Sequence, residues 1–357
     1  MRFANRGPGI QWGRPDGSDC TKDFASTTTS ELSQTDFGWS ATKSKPGYPV
    51  PSRPSRATIY PMPRTKNGRR IALLAGVVVV LVIAPFVWVN WDRIRFLKEF
   101  ESIGKNPQGY PEYRHRKTGI VFVWLPGGQF TMGIYHERNE RYGNVTQGPL
   151  HEVILSPFLI AKHEVTQAEW EKVMGSNPSW SKGPPIVRGG GQWPAKQPSS
   201  RWVNTHPVDQ VTWEDCQQFC SKTGLSFPTE AQYEYACRAG KYGRERFDLF
   251  KMGWYKENSG RTSHPVGQKE PNEFGLYDMH GNVREWCQDV YDEKFYSKTA
   301  RELTSTDPLC TSGSEFRVLR GGSWVYPFSY SHAWIRDKGP ESHSKSDVGF
   351  RPAWSWP

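Results

Sequence analysis

The longest apolar stretch of the chain is a run of nineteen uncharged residues from Ile71 to Val89, IALLAGVVVVLVIAPFVWV. A helix of about 20 apolar residues spans the hydrocarbon core of a bilayer. The run therefore predicts a single transmembrane helix over residues 69–91. Two alternatives stay open, namely a buried core helix and a cleaved signal peptide that would follow a translation start at Met62.

The segment before this run, residues 1–68, has no sustained apolar period and is rich in Gly, Pro, Ser, Thr, Lys and Arg. Such a composition does not bury enough apolar surface to fold, so we predict a disordered basic segment. Residues 1–70 hold 12 Lys and Arg against 5 Asp and Glu, which leaves only +3 of the formal net charge of +10 for the rest. Because the charge is not on a folded surface, nucleic-acid binding is not expected.

Basic residues on either side of the apolar run predict its orientation. Six Lys and Arg precede the run within about twenty residues and four follow it. The positive-inside rule then favours a cytoplasmic N-terminus, so that the C-terminal part of the chain is extracytoplasmic at the cell membrane. We expect a short, partly helical linker over residues 92–112 and a folded domain over residues 113–357.

Short strands alternate with capped helices in the first half of this domain. Strand patterns occur at residues 121–125, 151–155 and 158–161. Helix starts, each a threonine followed by an acidic first turn, occur at Thr166, Thr212 and Thr229, with ends near Met174, Gly224 and Gly240. Together with 34 Gly and 28 Pro, which a helical bundle avoids, the pattern predicts an α+β fold with much irregular backbone.

Seven phrases follow one another in the domain: LPGGQFTMG (125–133), HEVT (163–166), HPV with VTW (206–213), LSFPTEAQYEYA (225–236), NEFGLYDMHGNVREW (272–286), RGGSW (320–324) and VGFR (348–351). In this order they resemble the formylglycine-generating enzyme family, also called the sulfatase-modifying factor domain. The resemblance implies a variant of the C-type lectin fold after the transmembrane helix. It also implies copper-dependent oxidation of a substrate cysteine to formylglycine.

The residues that would carry this oxidation differ from the family pattern. The family binds copper(I) through two cysteines shortly after the Gly-Gly-Ser phrase, and those positions fall on Tyr326 and Ser331. Neither side chain replaces a soft thiolate. A family tryptophan is also replaced, by Arg284. We therefore expect neither copper nor cysteine oxidase activity, and assign no catalytic residue.

A calcium site is implied by the same resemblance. Asp278 and Glu285 match two side-chain ligands of the family, and Gly281 and Val283 match two ligands that bind through backbone carbonyls. Oxygen donors of this kind suit calcium, and one site is expected. The alternative is structural, with Glu285 in a local cap or salt bridge and Asp278 in a turn.

The cysteines give few constraints. Six in 357 residues are too few for a disulfide-dense scaffold. In the family, the positions of Cys220 and Cys237 form disulfides with partners that correspond here to Arg336 and Pro352, so those bridges are not expected. Cys216 and Cys220 have the spacing of a metal pair on a helix, although buried thiols are commoner. The pairing of Cys216, Cys220, Cys237, Cys287 and Cys310 stays open.

An aromatic stretch over residues 324–334 occupies the region where the oxidase keeps its thiols. Tyr, Trp and Ser provide rigid contact area and adaptable hydrogen bonds, which favours ligand binding, and an aromatic core is the alternative. The candidate ligand-binding residues are Ser323, Trp324, Tyr326, Tyr330, Trp334 and Arg284.

The function predicted from the sequence is a membrane-anchored, extracytoplasmic domain that binds a peptide, glycan or protein partner. One alternative is an active formylglycine-generating oxidase, or a related oxidoreductase, that acts on proteins such as sulfatases. Another is a scaffold in an envelope complex, with the basic tail on anionic lipid or a cytoplasmic partner.

Overall fold

The computed structural model describes residues 93–134, 148–180, 205–240, 249–300 and 305–356. The predicted disordered segment 1–68 and the predicted span 69–91 lie outside these ranges. Within them, every helix is either too short or too polar to cross a bilayer.

Strands and helices alternate along the described chain. The strands are β1 (Phe100–Lys105), β2 (Pro111–His115), β3 (Val121–Leu125), β4 (Gly128–Met132), β5 (His151–Leu155), β6 (Phe158–Ala161), β7 (Arg284–Val290), β8 (Ser305–Thr306), β9 (Phe316–Arg320), β10 (Asp337–Pro340), β11 (Val348–Gly349) and β12 (Ala353–Ser355). The helices are α1 (Gln167–Met174), α2 (Trp213–Thr223), α3 (Glu230–Arg238), α4 (Leu249–Met252), α5 (Phe295–Thr299) and the 3₁₀ turn Phe328–Tyr330. A further helical segment covers residues 93–99.

The described strands form three sheets. The first is antiparallel, with the order β1-β2-β3-β6-β12. The second has the order β10-β9-β7-β11 and the third β4-β5-β8, each with one parallel pair. The mixture of separate helices and mainly antiparallel sheets confirms the predicted α+β class.

The three predicted helix starts are confirmed, and each is a capping box. The threonine side chain accepts a hydrogen bond from the backbone N–H of the third helical residue. The side chain of this third residue accepts one from the threonine backbone N–H. The pairs are Thr166 with Glu169, Thr212 with Asp215, and Thr229 with Gln232. Such caps satisfy backbone donors that the first helical turn leaves free. Only the end of α3 differs slightly, because Ala239 takes the left-handed conformation before the expected Gly240.

The predicted linker over residues 92–112 differs more from the structure. Its start is helical over residues 93–99, but Phe100–Lys105 forms β1 and pairs with β2, with a bulge at Gly104. Phe100 is buried against Phe122 with their ring centroids 5.4 Å apart. The folded domain therefore includes residues 100–112, because the sheet gives these residues hydrogen-bond partners that a linker would lack.

Both faces of the central strands β3 and β6 are buried. On β3, Phe122 enters a core with α1 and α2, whereas Val123 and Leu125 enter a second core with α3, β4 and β5. On β6, Leu159 enters the core with α1 and α2, and Phe158 enters the core with α3, β4 and β5. This alternation follows the two-residue period of a strand, and it fixes α3 on one side of the sheet and α1 and α2 on the other.

A network of buried ion pairs connects α3 to the strands that carry the candidate site. Glu230 pairs with Arg336 at 2.7 Å and lies 3.5 Å from Arg320. Glu234 pairs with Arg238 at 2.9 Å and with Arg320. Charges buried this deeply persist only when they are paired and hydrogen-bonded, so the network holds β9 against α3.

Asp289 on β7 extends this network and gives it a pH dependence. Burial and the nearby Glu230 carboxylate raise the pKa of Asp289 from 3.8 to about 7. A carboxyl group whose pKa is raised on folding favours the folded state at low pH, and that advantage is lost as the pH rises to the folded pKa. Asp289 therefore disfavours the folded state increasingly between about pH 4 and pH 7.

In the variant Asp289→Asn the side chain does not ionise, so we expect no loss of folding stability from this position as the pH rises. Relative to the variant, the wild type should lose up to about 4 kcal/mol of unfolding free energy between pH 4 and pH 8. Urea denaturation at several pH values measures the difference. Asp292→Asn is the control, and its pH dependence should have the opposite sign. The hydrogen bond from Lys298 lowers the pKa of Asp292, so this carboxylate favours the folded state as the pH rises. A pH-independent difference for Asp289→Asn would contradict the prediction.

Candidate functional site

The loop after β9 is tightly closed at the two positions where the family has thiols. Gly322 has a φ of +72°, and a Cβ built on it would lie 2.5 Å from the Ser331 Oγ. The Tyr326 N–H donates to the Ser323 carbonyl at 3.1 Å, and the Ser331 N–H donates to the Phe328 carbonyl at 3.0 Å. The Ser331 side chain is fully buried. The chain thus returns to the interior at Ser331, after an exposed turn.

Tyr326 lies over a fixed arginine. The Arg284 guanidinium is 5.0 Å from the centroid of the Tyr326 ring. The same guanidinium pairs with Asp347 at 3.0 Å and with Asp337 at 2.6 Å, and the Ser323 hydroxyl donates to Asp347 at 2.9 Å. Arg284 and Ser323 are therefore buried supports of Tyr326 rather than surface groups.

Little space remains around this stack. The hollow between Arg284, Tyr326, Tyr330 and Asp337 has a volume of about 10 Å³, which is room for about one water molecule. A tyrosine hydroxyl is protonated at neutral pH, since its usual pKa is about 10, and burial raises the pKa of Tyr326 further. The position holds a neutral, half-buried phenol, whereas copper(I) would need a soft anionic sulfur ligand there.

The cysteines in the described part of the chain do not supply that ligand. Cys216, Cys220, Cys237, Cys287 and Cys310 are all buried and free. Burial raises the pKa of every one of these thiols, that of Cys237 to about 12. Because the thiolate is the form that binds metal and reacts, these groups behave as small apolar side chains. Cys216 and Cys220 are on α2 and point into the core.

The predicted calcium ligands lie together at the start of β7. Asp278 has a left-handed backbone with φ of +58°, and its Oδ2 accepts from the Gly267 N–H at 2.7 Å. Its Oδ1 is buried and without a hydrogen-bond partner. Glu285 pairs with Arg351 at 2.6 Å and accepts from the Tyr233 hydroxyl at 3.1 Å. The salt bridge of Glu285 corresponds to the structural alternative.

A third carboxylate, Glu164, adds negative charge to this region. Glu164 is fully buried, and burial together with the Asp278 and Glu285 carboxylates raises its pKa well above the usual range. Burial also raises the pKa of Asp278 to about 6. Three carboxylates thus surround one arginine, Arg351. The unpaired Asp278 oxygen and this surplus of oxygen donors fit a hard cation.

The side chains alone do not form a complete metal cage. Across the described ranges, no group of three or more His, Cys, Asp and Glu side chains has the geometry to hold a metal ion. A calcium ion would therefore need backbone carbonyls, which is the arrangement expected at Gly281 and Val283. The segment that carries them contacts the backbone at Trp254. The Asn282 backbone N–H donates to the Trp254 carbonyl at 2.7 Å, and a Cβ built on Gly281 would lie 2.3 Å from the same oxygen.

The predicted ligand-binding residues divide between surface and interior. Tyr330 is 51% exposed, and Trp324 and Tyr326 are half-buried. Trp334 is buried and stacks on His332 with centroids 4.3 Å apart. Trp334 therefore belongs to the aromatic interior, whereas ligand binding at the exposed Tyr330 stays a prediction.

One exposed aromatic residue of this region lies outside the predicted segment. Phe250 on α4 is exposed and lies 6.4 Å from Phe328, which is exposed as well. The Tyr326 and Tyr330 rings lie 5.4 Å apart. We refer to Phe250, Tyr326, Phe328 and Tyr330 as the aromatic surface. The sequence carries no local signal for Phe250, because α4 is 78 residues from Phe328.

The fold and motifs of the domain match known proteins. The profile of the sulfatase-modifying factor enzyme 1-like domain matches residues 107–356. The formylglycine-generating enzyme of Streptomyces coelicolor is 29% identical over 287 residues, which cover 65% of this chain and 88% of that protein.

Two solved structures are similar over most of the chain. Treponema denticola variable protein 1 has a TM-score of 0.56 at 26% identity, with 69% of this chain and 99% of that chain covered. PvdO from Pseudomonas aeruginosa has a TM-score of 0.53 at 28% identity, with 71% and 100% covered. From the profile match and these similarities, the chain belongs to the sulfatase-modifying factor enzyme 1-like family.

Proposed function

We propose that this chain is a ligand-binding member of its family, without copper-dependent cysteine oxidation. The observation that carries the proposal is the closed stack of Arg284 and Tyr326 at the first thiol position, with buried Ser331 at the second. Copper(I) needs soft sulfur ligands. A phenol and a hydroxyl do not provide them, and the described cysteines are protonated and buried in the core.

The proposed ligand is a macromolecule, a protein or peptide in the first place and a glycan in the second. The hollow at Tyr326 has room for about one water, so recognition there uses the outer surface. Phe328 and Tyr330 project from the 3₁₀ turn and are 43% and 51% exposed. Clustered aromatic side chains give large contact area at low entropic cost and are enriched at protein interfaces.

Membrane anchoring belongs to the same proposal. The apolar run Ile71–Val89 is long enough to span a bilayer. The excess of Lys and Arg before it favours a cytoplasmic N-terminus and an extracytoplasmic domain. An anchored domain would meet its ligand at the membrane surface, where two-dimensional confinement raises the effective concentration.

A single calcium ion is proposed at Asp278, Glu285 and the carbonyls of Gly281 and Val283. It would neutralise the surplus of buried carboxylates and stabilise the fold. We expect calcium to raise the thermal midpoint of residues 93–357 by several degrees. This is the usual effect when a ligand that binds only the folded state adds about 1 kcal/mol or more to the free energy of unfolding. Differential scanning fluorimetry with calcium and with chelator measures this. Identical midpoints in the two conditions would contradict the site.

Variants separate calcium binding from general stability. Glu285→Ala should remove the rise of the thermal midpoint with calcium, but it also breaks the salt bridge between Glu285 and Arg351. Asp278→Ala is the cleaner test, since only one backbone hydrogen bond is lost with the carboxylate. Asp307→Ala is a matched control, because Asp307 also has a positive φ and accepts a backbone N–H, from Ser156. The control should keep the calcium increment.

The second candidate function is cysteine oxidation. It is favoured by the 29% identity to a protein named formylglycine-generating enzyme, and it would require another thiol pair. The prediction is no conversion of a Cys-x-Pro-x-Arg peptide to the aldehyde by the purified chain with copper(I), oxygen and a reductant. Mass spectrometry detects the product, with an active family member as control. Conversion at a rate within about tenfold of the control would overturn the leading proposal.

The same peptide also tests binding. Fluorescence anisotropy of the labelled peptide, with the wild type and with Tyr330→Ser, reports whether the aromatic surface contacts it. Trp180→Ser is the control, since Trp180 is an exposed aromatic residue that forms no part of the aromatic surface. If the peptide neither binds nor reacts, the ligand search moves to other peptides and glycans on the same surface.

A further inference from the structure

The helical segment 93–99 packs on the domain through the aromatic ring of Phe96. The Phe96 ring lies 5.1 Å from Tyr113, 5.4 Å from Trp354 and 5.1 Å from Trp356, measured between centroids. Trp354 is buried in the core beside α1 and α2. The segment is therefore fixed to the end of the first sheet, and it does not swing freely at the boundary of the domain.

This packing leaves an apolar face exposed. Leu97 is 58% exposed and Ile94 is 46% exposed. Trp356 is 41% exposed and lies against the same segment, where it contacts Phe96. We refer to Ile94, Leu97 and Trp356 as the membrane-proximal face, for the reason given next.

The face follows the apolar run almost without separation. Ile94 comes five residues after Val89, the last residue of that run. Five residues reach at most about 18 Å when fully extended, and about 8 Å when helical. The headgroup layer on each side of a bilayer is about 5–8 Å thick. If the run spans the bilayer and the five residues continue it as a helix, Ile94 lies in or next to the headgroup layer. A fully extended connection would place it at most about 13 Å beyond that layer.

Basic residues lie on the helical segment 93–99 and on the elements that meet its end. The Arg116 N–H donates to the Glu99 carbonyl at 2.8 Å, and Lys117 donates to the Lys222 carbonyl. A Cβ built on Gly224, after α2, would lie 3.5 Å from Glu99. The end of α2 and the β2–β3 turn thus meet the 93–99 segment. These elements hold one acidic residue, Glu99, and six basic ones, Arg93, Arg95, Lys98, Arg116, Lys117 and Lys222. Arg95 pairs with Glu99 at 3.1 Å, and Arg116 lies 3.8 Å from Glu101 on β1.

We propose that the membrane-proximal face lies in the interfacial layer of a bilayer that contains anionic lipid. The inference rests on the membrane-anchored part of the proposed function. Tryptophan and aliphatic side chains at the headgroup level with Lys and Arg around them form the usual interfacial arrangement, and basic residues near the surface are attracted to anionic lipid. Contact at this face, together with the span, holds the domain in one orientation on the bilayer.

The experiment uses the full chain with Cys20→Ser, reconstituted in vesicles of phosphatidylcholine and phosphatidylglycerol. A single cysteine, Leu97→Cys, is labelled with an environment-sensitive fluorophore, and brominated lipid is the quencher. The remaining cysteines are buried, and the Cys20→Ser parent measures any background labelling. Trp180→Cys is the matched control, because Trp180 is a 64% exposed aromatic residue elsewhere on the domain. Flotation of the vesicles tests the span in parallel.

At position 97 we expect emission shifted to the blue and quenching at least about twofold stronger than at position 180, as for an interfacial site. Equal quenching at the two positions in chains that float with the vesicles would overturn the proposal while the span stands. A blue shift without quenching would assign the face to a second protein surface and would also overturn it. Chains that fail to float would remove both the span and the proposal.

Discussion

Replacement of Glu230 by alanine is expected to lower the free energy of unfolding by about 3–5 kcal/mol, the loss typical of a broken buried ion pair. Two nitrogens of Arg336 donate to Glu230 at 2.7 and 2.8 Å, and Arg320 lies 3.5 Å away. All three side chains are at most 1% exposed. The variant would leave Arg336 without its carboxylate partner and Arg320 with only Glu234, in a site that water does not reach.

Urea denaturation of residues 93–357 measures this loss. Glu341→Ala is the control, because Glu341 pairs with Arg317 at 2.8 Å but is 40% exposed, and such pairs contribute about 0–1 kcal/mol. The double variant Glu230→Ala with Arg336→Met should regain part of the stability, since the uncompensated charge is removed. Equal losses for Glu230→Ala and the control would show that the buried network does not stabilise the fold.

Gly322→Ala is expected to cost about 2–4 kcal/mol and to disturb the aromatic surface. The left-handed backbone at φ of +72° costs about 1–2 kcal/mol for a residue with a Cβ. The added carbon would also lie 2.5 Å from the Ser331 Oγ and 2.9 Å from the Tyr330 carbonyl oxygen, and such overpacking typically costs about 1–3 kcal/mol. Because the clash is with backbone, the turn that presents Tyr330 must move.

A second glycine separates the two contributions. Gly260 has a φ of +65° and no atom within 4 Å of a built Cβ. Gly260→Ala should therefore lower the free energy of unfolding only by the cost of the left-handed backbone. The difference between the two variants then measures the cost of the close contact between Gly322 and Ser331. Thermal or urea unfolding gives both values. Quenching of tyrosine and tryptophan fluorescence by acrylamide should change only in Gly322→Ala. Equal costs for the two variants would mean that the loop relaxes without strain.

Local signals in the sequence predicted the helices well. Each capping box lies within four residues, as at Thr166 and Glu169, so its energy does not depend on the rest of the chain. The strand Phe100–Lys105 was missed and assigned to a linker. A strand at the edge of a sheet forms only by hydrogen bonding to its partner, here Pro111–His115. The turn and bulge in this hairpin leave no strong local pattern in the sequence.

The candidate site was predicted in part. The change at the thiol positions could be read from the residues alone, since Tyr326 and Ser331 lack sulfur wherever they lie. Glu164 was not predicted to share a site with Asp278 and Glu285, from which it is separated by more than a hundred residues. The partner of Arg284, Asp347, is also distant along the chain. Arg284 and Asp347 meet because β7 and β11 are neighbours in one sheet.

The sequence by itself determined the family, and it predicts the replacement of the thiol pair and a membrane anchor at the apolar run, because these depend on the identity and order of residues. The tertiary structure decided which aromatic residues reach solvent and which charges are paired. Tyr330 lies outside and Trp334 inside although four positions separate them, because the chain turns inward at Ser331 to pack beneath Gly322. Exposure and pairing are set by the packing of distant segments, and no local pattern encodes them.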